Sequence, residues 1–352
     1  MHAIVPPYLL ARLADAAAPH LAAAAEAARA TLAMPREYHR ARANLDVSVE
    51  GDALVITGSP APDRVISDAQ HRETLPGVRV RGEDDPATGD RATDEAFDGL
   101  GDTFAFFWDA FERASIDGAG GALEATVHYG EKYDNAFWNG ERMVFGDGDG
   151  EVFTGFTGSV SVIAHELGHG VIEFGGGLEY RGQSGALNES VADVFGALTE
   201  QHALGETADE ASWLIGAGIF TDAVQGEALR SMKAPGTAYD DDVLGRDPQP
   251  AHMRDYVHTQ EDNGGVHLNS GIPNKAFHLV ATALGGHAWE RAGRIWYVTV
   301  TGGLLSRTAD FIAFAAATTA TAEAEYGEDS EEAAAVRTAW NAVGVTSGDP
   351  RP

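Results

Sequence analysis

Residues 162–170, VIAHELGHG, contain the side chains whose spacing most directly suggests chemistry. Apolar residues recur here at intervals of three to four, which predicts a helix with one buried face. His165 and His169 would then lie one turn apart on the same side of that helix. Two imidazoles so placed can occupy two corners of a zinc tetrahedron, with Glu166 accepting a proton from water. The alternative is a buried histidine pair that binds no metal and needs hydrogen-bond partners.

A further metal ligand is predicted on the next helix, in the segment SGALNESVADVFGALTEQ. Glu189 and Asp193 lie one turn apart there, within an apolar pattern in which unpaired charges are costly. One carboxylate can complete the zinc coordination and the other can orient a ligand histidine. Two solvated acids on the helix surface are the alternative, which fits the apolar setting less well.

The absence of cysteine leaves imidazole and carboxylate as the only strong protein ligands for a transition metal. A purely structural zinc would need a fourth protein ligand and no neighbouring base. The sequence offers a base, Glu166, and no obvious fourth ligand. The pattern therefore favours a catalytic zinc.

The charge balance excludes two classes of partner. There are 54 acidic and 24 basic residues, a formal net charge of −30, and only three of the basic residues are lysines. Such a surface repels nucleic acid and anionic membranes. Adaptation to a salt-rich environment and a lysine-poor coding bias both account for this composition. No run of 18 apolar residues is present, and the N-terminus lacks a basic region typical of secretory signals. We expect synthesis in the cytoplasm, with any export following another route.

The order of predicted elements indicates an α+β protein. Its 352 residues suit two or three structural units. Residues 64–158 contain short alternating runs typical of strands, interrupted by one helix over 94–114. Helical patterns follow at 159–175, 188–204, 271–285, 307–325 and 331–342. A β-rich lobe followed by a helical lobe predicts a cleft between them, where ligands commonly bind.

The N-terminal segment is predicted to be an appendage. Residues 8–32 are typical of one or two alanine-rich helices around Pro19, ANLDVSVEGDALVITG favours a hairpin, and SPAPD (59–63) is typical of a linker. From these features alone, a mobile arm is the simplest interpretation.

The glycine-rich segment GDGDG (146–150) suggests a calcium loop. An EF-hand loop, however, needs glycine at its sixth position and glutamate at its twelfth. Val152 and Gly158 stand there instead, so a tight turn joining two strands is predicted.

Together, these motifs resemble the thermolysin family of zinc metallopeptidases. HELGH is followed, twenty residues after its second histidine, by the glutamate of GALNESVAD. Four longer segments are also similar to that family, in order: NAFWNGERMVFGDGDG (135–150), LEYRGQSGALNES (178–190), ALRSM (228–232) and DNGGVHLNSGIPNKAF (262–277). The resemblance spans roughly residues 64–345 and implies a two-lobed fold with the zinc helix between the lobes.

The resemblance implies roles for individual residues. It makes His165, His169 and Glu189 the zinc ligands and Glu166 the base that activates water. Asp193 would hold His165. His267, oriented by Asp262, and Tyr180 would face the developing oxyanion. The substrate backbone would be held by Arg230, Asn135 and the Ala136 carbonyl.

The resemblance also implies a substrate preference. The positions that match the pocket for the residue after the scissile bond are all apolar: Phe153, Phe156, Val162, Ile215 and Leu229. We therefore expect a neutral endopeptidase that cleaves before bulky hydrophobic residues of peptides or proteins. One alternative is a catalytically silent peptide-binding module. The other is an aminopeptidase, which would need an acidic patch for a free amine.

The chain departs from the family at the positions of a calcium site. Where its double calcium site has acids, this chain keeps Glu200 but has Ser161, Ser212, Leu214 and Ala217, so loss of that site is predicted. The acidic run 240–242 is another calcium candidate, for which a solvated loop is the alternative.

The short leader, with IVPPYLL (4–10), resembles the protealysin branch, whose members have a brief propeptide. This implies an inhibitory prosegment over residues 1–60, a β-rich lobe over 61–175 ending in the zinc helix, and a helical lobe over 176–352. The prosegment is then an intramolecular partner, ordered on the catalytic unit.

Overall fold

A computed structural model describes residues 3–34, 47–50, 53–56, 61–303 and 305–346, with backbone alone at 47–50 and 53–56. The chain begins with two helices, α1 (Pro7–Ala14) and α2 (Ala22–Ala33). Pro7 suits the first position of α1, where its missing N–H costs nothing. The predicted helices around Pro19 are confirmed as two. The predicted hairpin is also confirmed, as the antiparallel strands β1 (Val47–Glu50) and β2 (Ala53–Ile56).

The N-terminal lobe is built on a five-stranded sheet. Its strands are β3 (Arg64–Asp68), β4 (Val78–Gly82), β5 (Leu123–Val127), β6 (Ala136–Trp138) and β7 (Met143–Phe145), with α3 (Arg91–Phe111) packed against β3 and β5. The strand order is β4-β3-β5-β7-β6, with β3, β5 and β7 parallel and the edges antiparallel. The helix predicted over 94–114 begins three residues earlier than expected. Asp90 caps it by accepting a hydrogen bond from the Thr93 N–H.

Two buried helices join the lobes. The helix α4 (Val160–Gly175) packs against β6 and β7 on one side and against α5 (Gly182–Leu204) on the other. Glycines permit this close approach, since a β-carbon at Gly168 would lie 3.2 Å from Ala192 Cα, and one at Gly196 would lie 2.5 Å from the Ser161 carbonyl oxygen. The zinc helix thus lies where the sequence predicts it.

The C-terminal lobe is mainly helical. It contains four two-residue strands, β8 (Leu214–Ile215), β9 (Arg230–Ser231), β10 (Asp240–Asp241) and β11 (Gly245–Arg246). Its remaining helices are α6 (Asp262–Asn269), α7 (Gly271–Leu284), α8 (Arg294–Thr301), α9 (Phe311–Tyr326) and α10 (Glu331–Ala342). Trp296 of α8 anchors the core, stacked on Trp340 with ring centroids 6.1 Å apart. The helices α6 and α8 were not predicted, because both are short.

The structure also tests the predicted turn at residues 146–150 and the predicted lack of a membrane-spanning segment. GDGDG follows β7 but leads into an irregular segment rather than a second strand, so the predicted strand-joining turn is wrong. Within the described residues, no helix is both long and apolar enough to cross a membrane.

Asp134 gives the folded chain a pH-dependent element. Its carboxyl group is fully buried, and neither oxygen has a hydrogen-bond partner among the described residues. Burial, together with the nearby Asp149, raises the pKa of Asp134 to about 9. The unfolded chain ionises this group near pH 4. The folded state therefore binds more protons between about pH 4 and 9, and stability falls as pH rises through that window.

We therefore expect Asp134→Asn to stabilise the protein at pH 8 by about 1–3 kcal/mol, because the amide is neutral in both states and folding no longer requires uptake of a proton. The effect should be much smaller near pH 4.5. Urea unfolding across this pH range measures it, with the exposed Asp84→Asn as control. If the free energy of unfolding depends on pH in the same way for the parent and for Asp134→Asn, Asp134 does not have a raised pKa in the folded state.

Candidate active site

The two buried helices bring three metal-ligating side chains together. His165 and His169 project from α4, and Glu189 projects from the facing turn of α5; all three are at most 1% exposed. The two Nε2 atoms are 3.1 Å apart. Each lies 3.5 Å from a carboxylate oxygen of Glu189.

These distances fit a tetrahedral zinc ion. Ligands about 2.0–2.2 Å from Zn²⁺ lie roughly 3.3 Å from one another in a tetrahedron. Glu189 Oε2 is buried and has no hydrogen-bond partner in the described part of the chain, as expected of an oxygen reserved for a cation. The site accordingly offers two nitrogens and one carboxylate oxygen, which is a donor set that zinc prefers.

Each ligand histidine is oriented through its other ring nitrogen. The Nδ1 of His165 lies 2.7 Å from Asp193 Oδ1, and the Nδ1 of His169 lies 2.8 Å from Asn188 Oδ1. Such partners fix the tautomer that leaves Nε2 free to bind metal. Asp193 has the position that the sequence predicts. Asn188 was not among the predicted site residues, since its only signal in the sequence is its place beside Glu189.

Asp193 is also the centre of a buried ionic network. Arg230 donates to both of its carboxylate oxygens, at 2.9 and 2.8 Å, and Asn274 donates to Oδ2 at 2.8 Å. Burial alone would raise the pKa of Asp193, but the positive charge of Arg230 and the contact with His165 hold it well below its usual range. Asp193 is therefore an anion beside the metal site.

Glu166 lies beside the metal ligands with one oxygen available. Its Oε2 accepts a hydrogen bond from the Trp138 backbone N–H at 2.9 Å, whereas Oε1 has no partner within the described ranges. Burial raises the pKa of Glu166 to about 7. A carboxyl group with this pKa can both accept and release a proton near neutral pH.

His267 and Tyr180 lie against the ligand Glu189. The Nδ1 of His267 is 2.6 Å from Asp262 Oδ1, and its backbone N–H donates to the same carboxylate. Burial alone would lower the pKa of His267, but Glu189 and Asp262 raise it to about 9. The Tyr180 hydroxyl donates to Glu189 and lies 3.3 Å from His267 Nε2. Both groups can donate hydrogen bonds to an oxyanion.

A left-handed turn aims His267 at the cleft. Residues 262–265 all have positive φ, and Gly264 and Gly265 reach 91° and 75°. Glycine occupies such conformations without the steric cost that a β-carbon brings. The DNGG segment of the sequence therefore encodes the backbone shape that places His267.

The cleft is filled by the N-terminal segment of the chain itself. The Ile4 N–H donates to the Ala136 carbonyl at 3.1 Å, which adds a residue to the free edge of β6. Arg230 donates to the Ile4 carbonyl at 3.0 Å. Asn135 pairs with Val5 twice, accepting from its N–H at 2.9 Å and donating to its carbonyl at 3.1 Å. The three residues predicted to hold a substrate backbone thus hold the backbone of this segment.

The neighbouring residues extend the same arrangement. The Ala3 carbonyl oxygen lies 3.1 Å from His267 Nε2. The Ile4 side chain is fully buried in the main apolar cluster, which also contains all five residues predicted for the substrate pocket: Phe153, Phe156, Val162, Ile215 and Leu229. The predicted metal ligands, Glu166, His267, Tyr180 and the three peptide-holding residues therefore lie around one cleft, whereas the role of the five apolar positions as a substrate pocket stays a prediction.

The calcium expectation stays a prediction. The Ser161 hydroxyl accepts a hydrogen bond from the Gly216 N–H and lies 3.0 Å from that of Ser159. Burial raises the pKa of Glu200 to about 7.

Comparisons with known proteins agree with this geometry. Residues 38–173 match the catalytic domain described as thermolysin metallopeptidase, and residues 176–345 match the alpha-helical domain of the same family. An extracellular metalloprotease of Pectobacterium carotovorum subsp. carotovorum is 52% identical over 304 residues, covering 83% of this chain and 87% of that protein. The protease PrtS of Photorhabdus sp. (strain Az29) is 50% identical, covering 86% and 79%.

A solved structure is similar along nearly the whole chain. It is the precursor of protealysin, a metalloproteinase from Serratia proteamaculans, with a TM-score of 0.89 and 49% identity. The match covers 98% of this chain and 100% of that one, so it includes the leader.

The metal centre can be tested by replacing Glu189, the carboxylate of the three-residue group. We expect Glu189→Gln to weaken zinc affinity by more than the roughly 10–100-fold that loss of an outer-shell partner costs. Zinc content after dialysis against a competing chelator measures this. Glu200→Gln, on the same helix, is the matched control and should retain the metal. Equal zinc retention by both variants would show that Glu189 is not a ligand.

Proposed function

The chain belongs to the thermolysin family of zinc metallopeptidases, and from this premise we propose that it is an endopeptidase held inactive by its own leader, cleaving before bulky hydrophobic residues. The observation that carries this proposal is the position of residues 3–5, which lie in the cleft and are held through hydrogen bonds to their backbone groups. A substrate would use the same donors and acceptors.

The leader defines the register of a bound substrate. The Ala3 carbonyl faces His267, and the Ile4 N–H and carbonyl are held by Ala136 and Arg230. The bond between Ala3 and Ile4 therefore occupies the place of a scissile bond. Ile4 corresponds to the residue after that bond, and its burial in an apolar cluster supports a preference for bulky hydrophobic side chains there.

The chain's own groups are arranged for peptide hydrolysis. His165, His169 and Glu189 would hold zinc, which supplies a Lewis acid that polarises the carbonyl and makes water nucleophilic at neutral pH. Glu166, with a pKa of about 7, takes the proton from the attacking water at its free oxygen and delivers it to the leaving amine.

His267 and Tyr180 are suited to stabilise the charge that develops during attack. His267 faces the Ala3 carbonyl oxygen and donates a hydrogen bond as it becomes negative, and the Tyr180 hydroxyl lies 3.3 Å from the same His267 nitrogen. Asp262 contacts Nδ1 of His267 and favours the charged form of the ring. In that form Nε2 also carries a proton and can donate a hydrogen bond.

Self-inhibition follows from competition for the same groups. Asn135, Ala136 and Arg230 cannot hold the leader and a substrate at once. We assign residues 1–60 to the prosegment, 61–175 to the β-rich lobe and 176–352 to the helical lobe. The leader has further attachments, such as the Arg12 guanidinium donating to the Leu244 carbonyl and the Ala24 N–H donating to Glu151.

The catalytic proposal predicts that Glu166→Gln loses activity by about 10²–10⁴-fold or more while retaining zinc, because the amide cannot accept the proton. Hydrolysis of a peptide with a single Leu or Phe measures kcat/KM and the cleavage position. Time-resolved mass spectrometry of the N-terminus should show shortening in the parent alone. A parent that binds zinc yet stays full length and inert would establish the silent peptide-binding alternative.

The inhibitory proposal predicts that Ile4→Asp raises the peptidase activity of the full-length chain at least about tenfold. The substitution forfeits burial of a large apolar side chain and places a charge in an apolar pocket. Initial rates are compared before any N-terminal cleavage is detectable. Leu32→Asp, at a leader position 41% exposed, serves as the matched control and should stay inhibited. If both variants stay equally inhibited, the Ile4 contact is not what blocks the cleft.

A further inference from the structure

A second group of metal-ligating side chains lies at the carboxyl ends of the parallel strands. His71, His128 and Asp147 each follow a different strand, at positions three, one and two residues after β3, β5 and β7 respectively. Because these strands are adjacent and parallel, their carboxyl ends share one edge of the sheet. The topology therefore gathers residues that are far apart in the sequence.

The ligand atoms of this group are close enough to share one ion. The Nδ1 of His128 lies 2.9 and 3.0 Å from the two oxygens of Asp147, and the Nδ1 of His71 lies 3.4 Å from Asp147 Oδ2. One ligand atom from each residue lies within 4.8 Å of the other two. These separations bracket the roughly 3.3 Å between neighbouring ligands of tetrahedral zinc.

Local backbone geometry holds the two histidines together. His71 and His128 have positive φ values of 57° and 53°, which are uncommon for residues with a β-carbon. The His71 N–H donates to the His128 carbonyl at 2.8 Å, and the two rings lie 5.4 Å apart. The turns after two different strands are thus joined by the backbone before any ion is considered.

A further carboxylate orients the central ring. The Nε2 of His128 lies 3.2 Å from Asp90 Oδ1, so its two nitrogens face two different acids. The catalytic centre has the same relation, in which Asp193 orients His165 through the nitrogen that faces away from the metal. Asp90 also caps α3, which fixes its own position.

We propose that His71, His128 and Asp147 form a second site for a divalent ion of the zinc class, separate from the catalytic centre. Two imidazole nitrogens and one carboxylate oxygen favour Zn²⁺ over the hard ions Ca²⁺ and Mg²⁺, which prefer oxygen ligands. Water would complete the coordination, since the His71 side chain is 56% exposed.

Binding at this site would depend on pH and have a structural consequence. The ion would bind through deprotonated ligand atoms, so its affinity should rise with pH. The exposure of His71 makes the second site weaker than the catalytic one. Once bound, the ion would tie together three loops, one of which leads from His128 to the peptide-holding Asn135.

Zinc stoichiometry at pH 8 tests the proposal directly. Equilibrium dialysis of the full-length Glu166→Gln chain against micromolar free Zn²⁺, followed by elemental analysis, should give two zinc ions per chain. His71→Ala should reduce this to one, and the exposed His258→Ala, as the matched control, should leave two. His165→Ala, which disrupts the catalytic centre, should retain the second ion.

Thermal unfolding provides an independent reading. Adding micromolar Zn²⁺ to the chain already loaded at its catalytic site should raise Tm by roughly 2–4 °C, an effect that His71→Ala abolishes and His258→Ala keeps. One zinc per chain in the parent, or two in His71→Ala, would overturn the proposal. Both experiments use the inactive variant, so their outcome does not depend on the proposed peptidase activity.

Discussion

The buried carboxylate of Asp193 is the constraint on which the rest of the cleft depends. A charge with no exposure to solvent is tolerated only when it is paired and hydrogen-bonded. Here the partners are His165, Arg230 and Asn274, which come from three different elements. One anion therefore fixes both the orientation of a metal ligand and the position of the guanidinium that holds a peptide carbonyl. The catalytic and peptide-binding halves of the site cannot shift independently.

The helix pair that carries this network has little freedom of its own. The α4–α5 contact requires glycine at two crossing points, and every ligand side chain is enclosed by it. Enclosure removes water from Glu166 and so raises its pKa to about 7. The same packing that stabilises the fold thereby sets the acid–base properties of Glu166.

Much of this centre could be predicted from the sequence because its determinants are side chains at helical spacing. His165 and His169 are one turn apart on one helix, and Glu189 and Asp193 are one turn apart on the next, so periodicity forms each pair and the resemblance to the thermolysin family joins the two pairs into one site. The contacts of the leader could not be predicted in this way. They run through backbone amides and carbonyls of Ala3, Ile4 and Val5, which any residue type offers. The second histidine cluster was missed for another reason: its members are 57 and 19 residues apart, and only the parallel strand order joins them.

The two clusters show how burial decides what a set of ligands can do. Both have two imidazoles, one carboxylate and an outer acid that orients a ring. In the first cluster the ligands are at most 1% exposed, so electrostatic interactions between charged groups are strong there. Glu166 lies beside them and can accept a proton. In the second, His71 is largely exposed and the outer Asp90 is committed to capping a helix. Water screens the charges there, so an ion at the second cluster would restrain loops without activating a substrate.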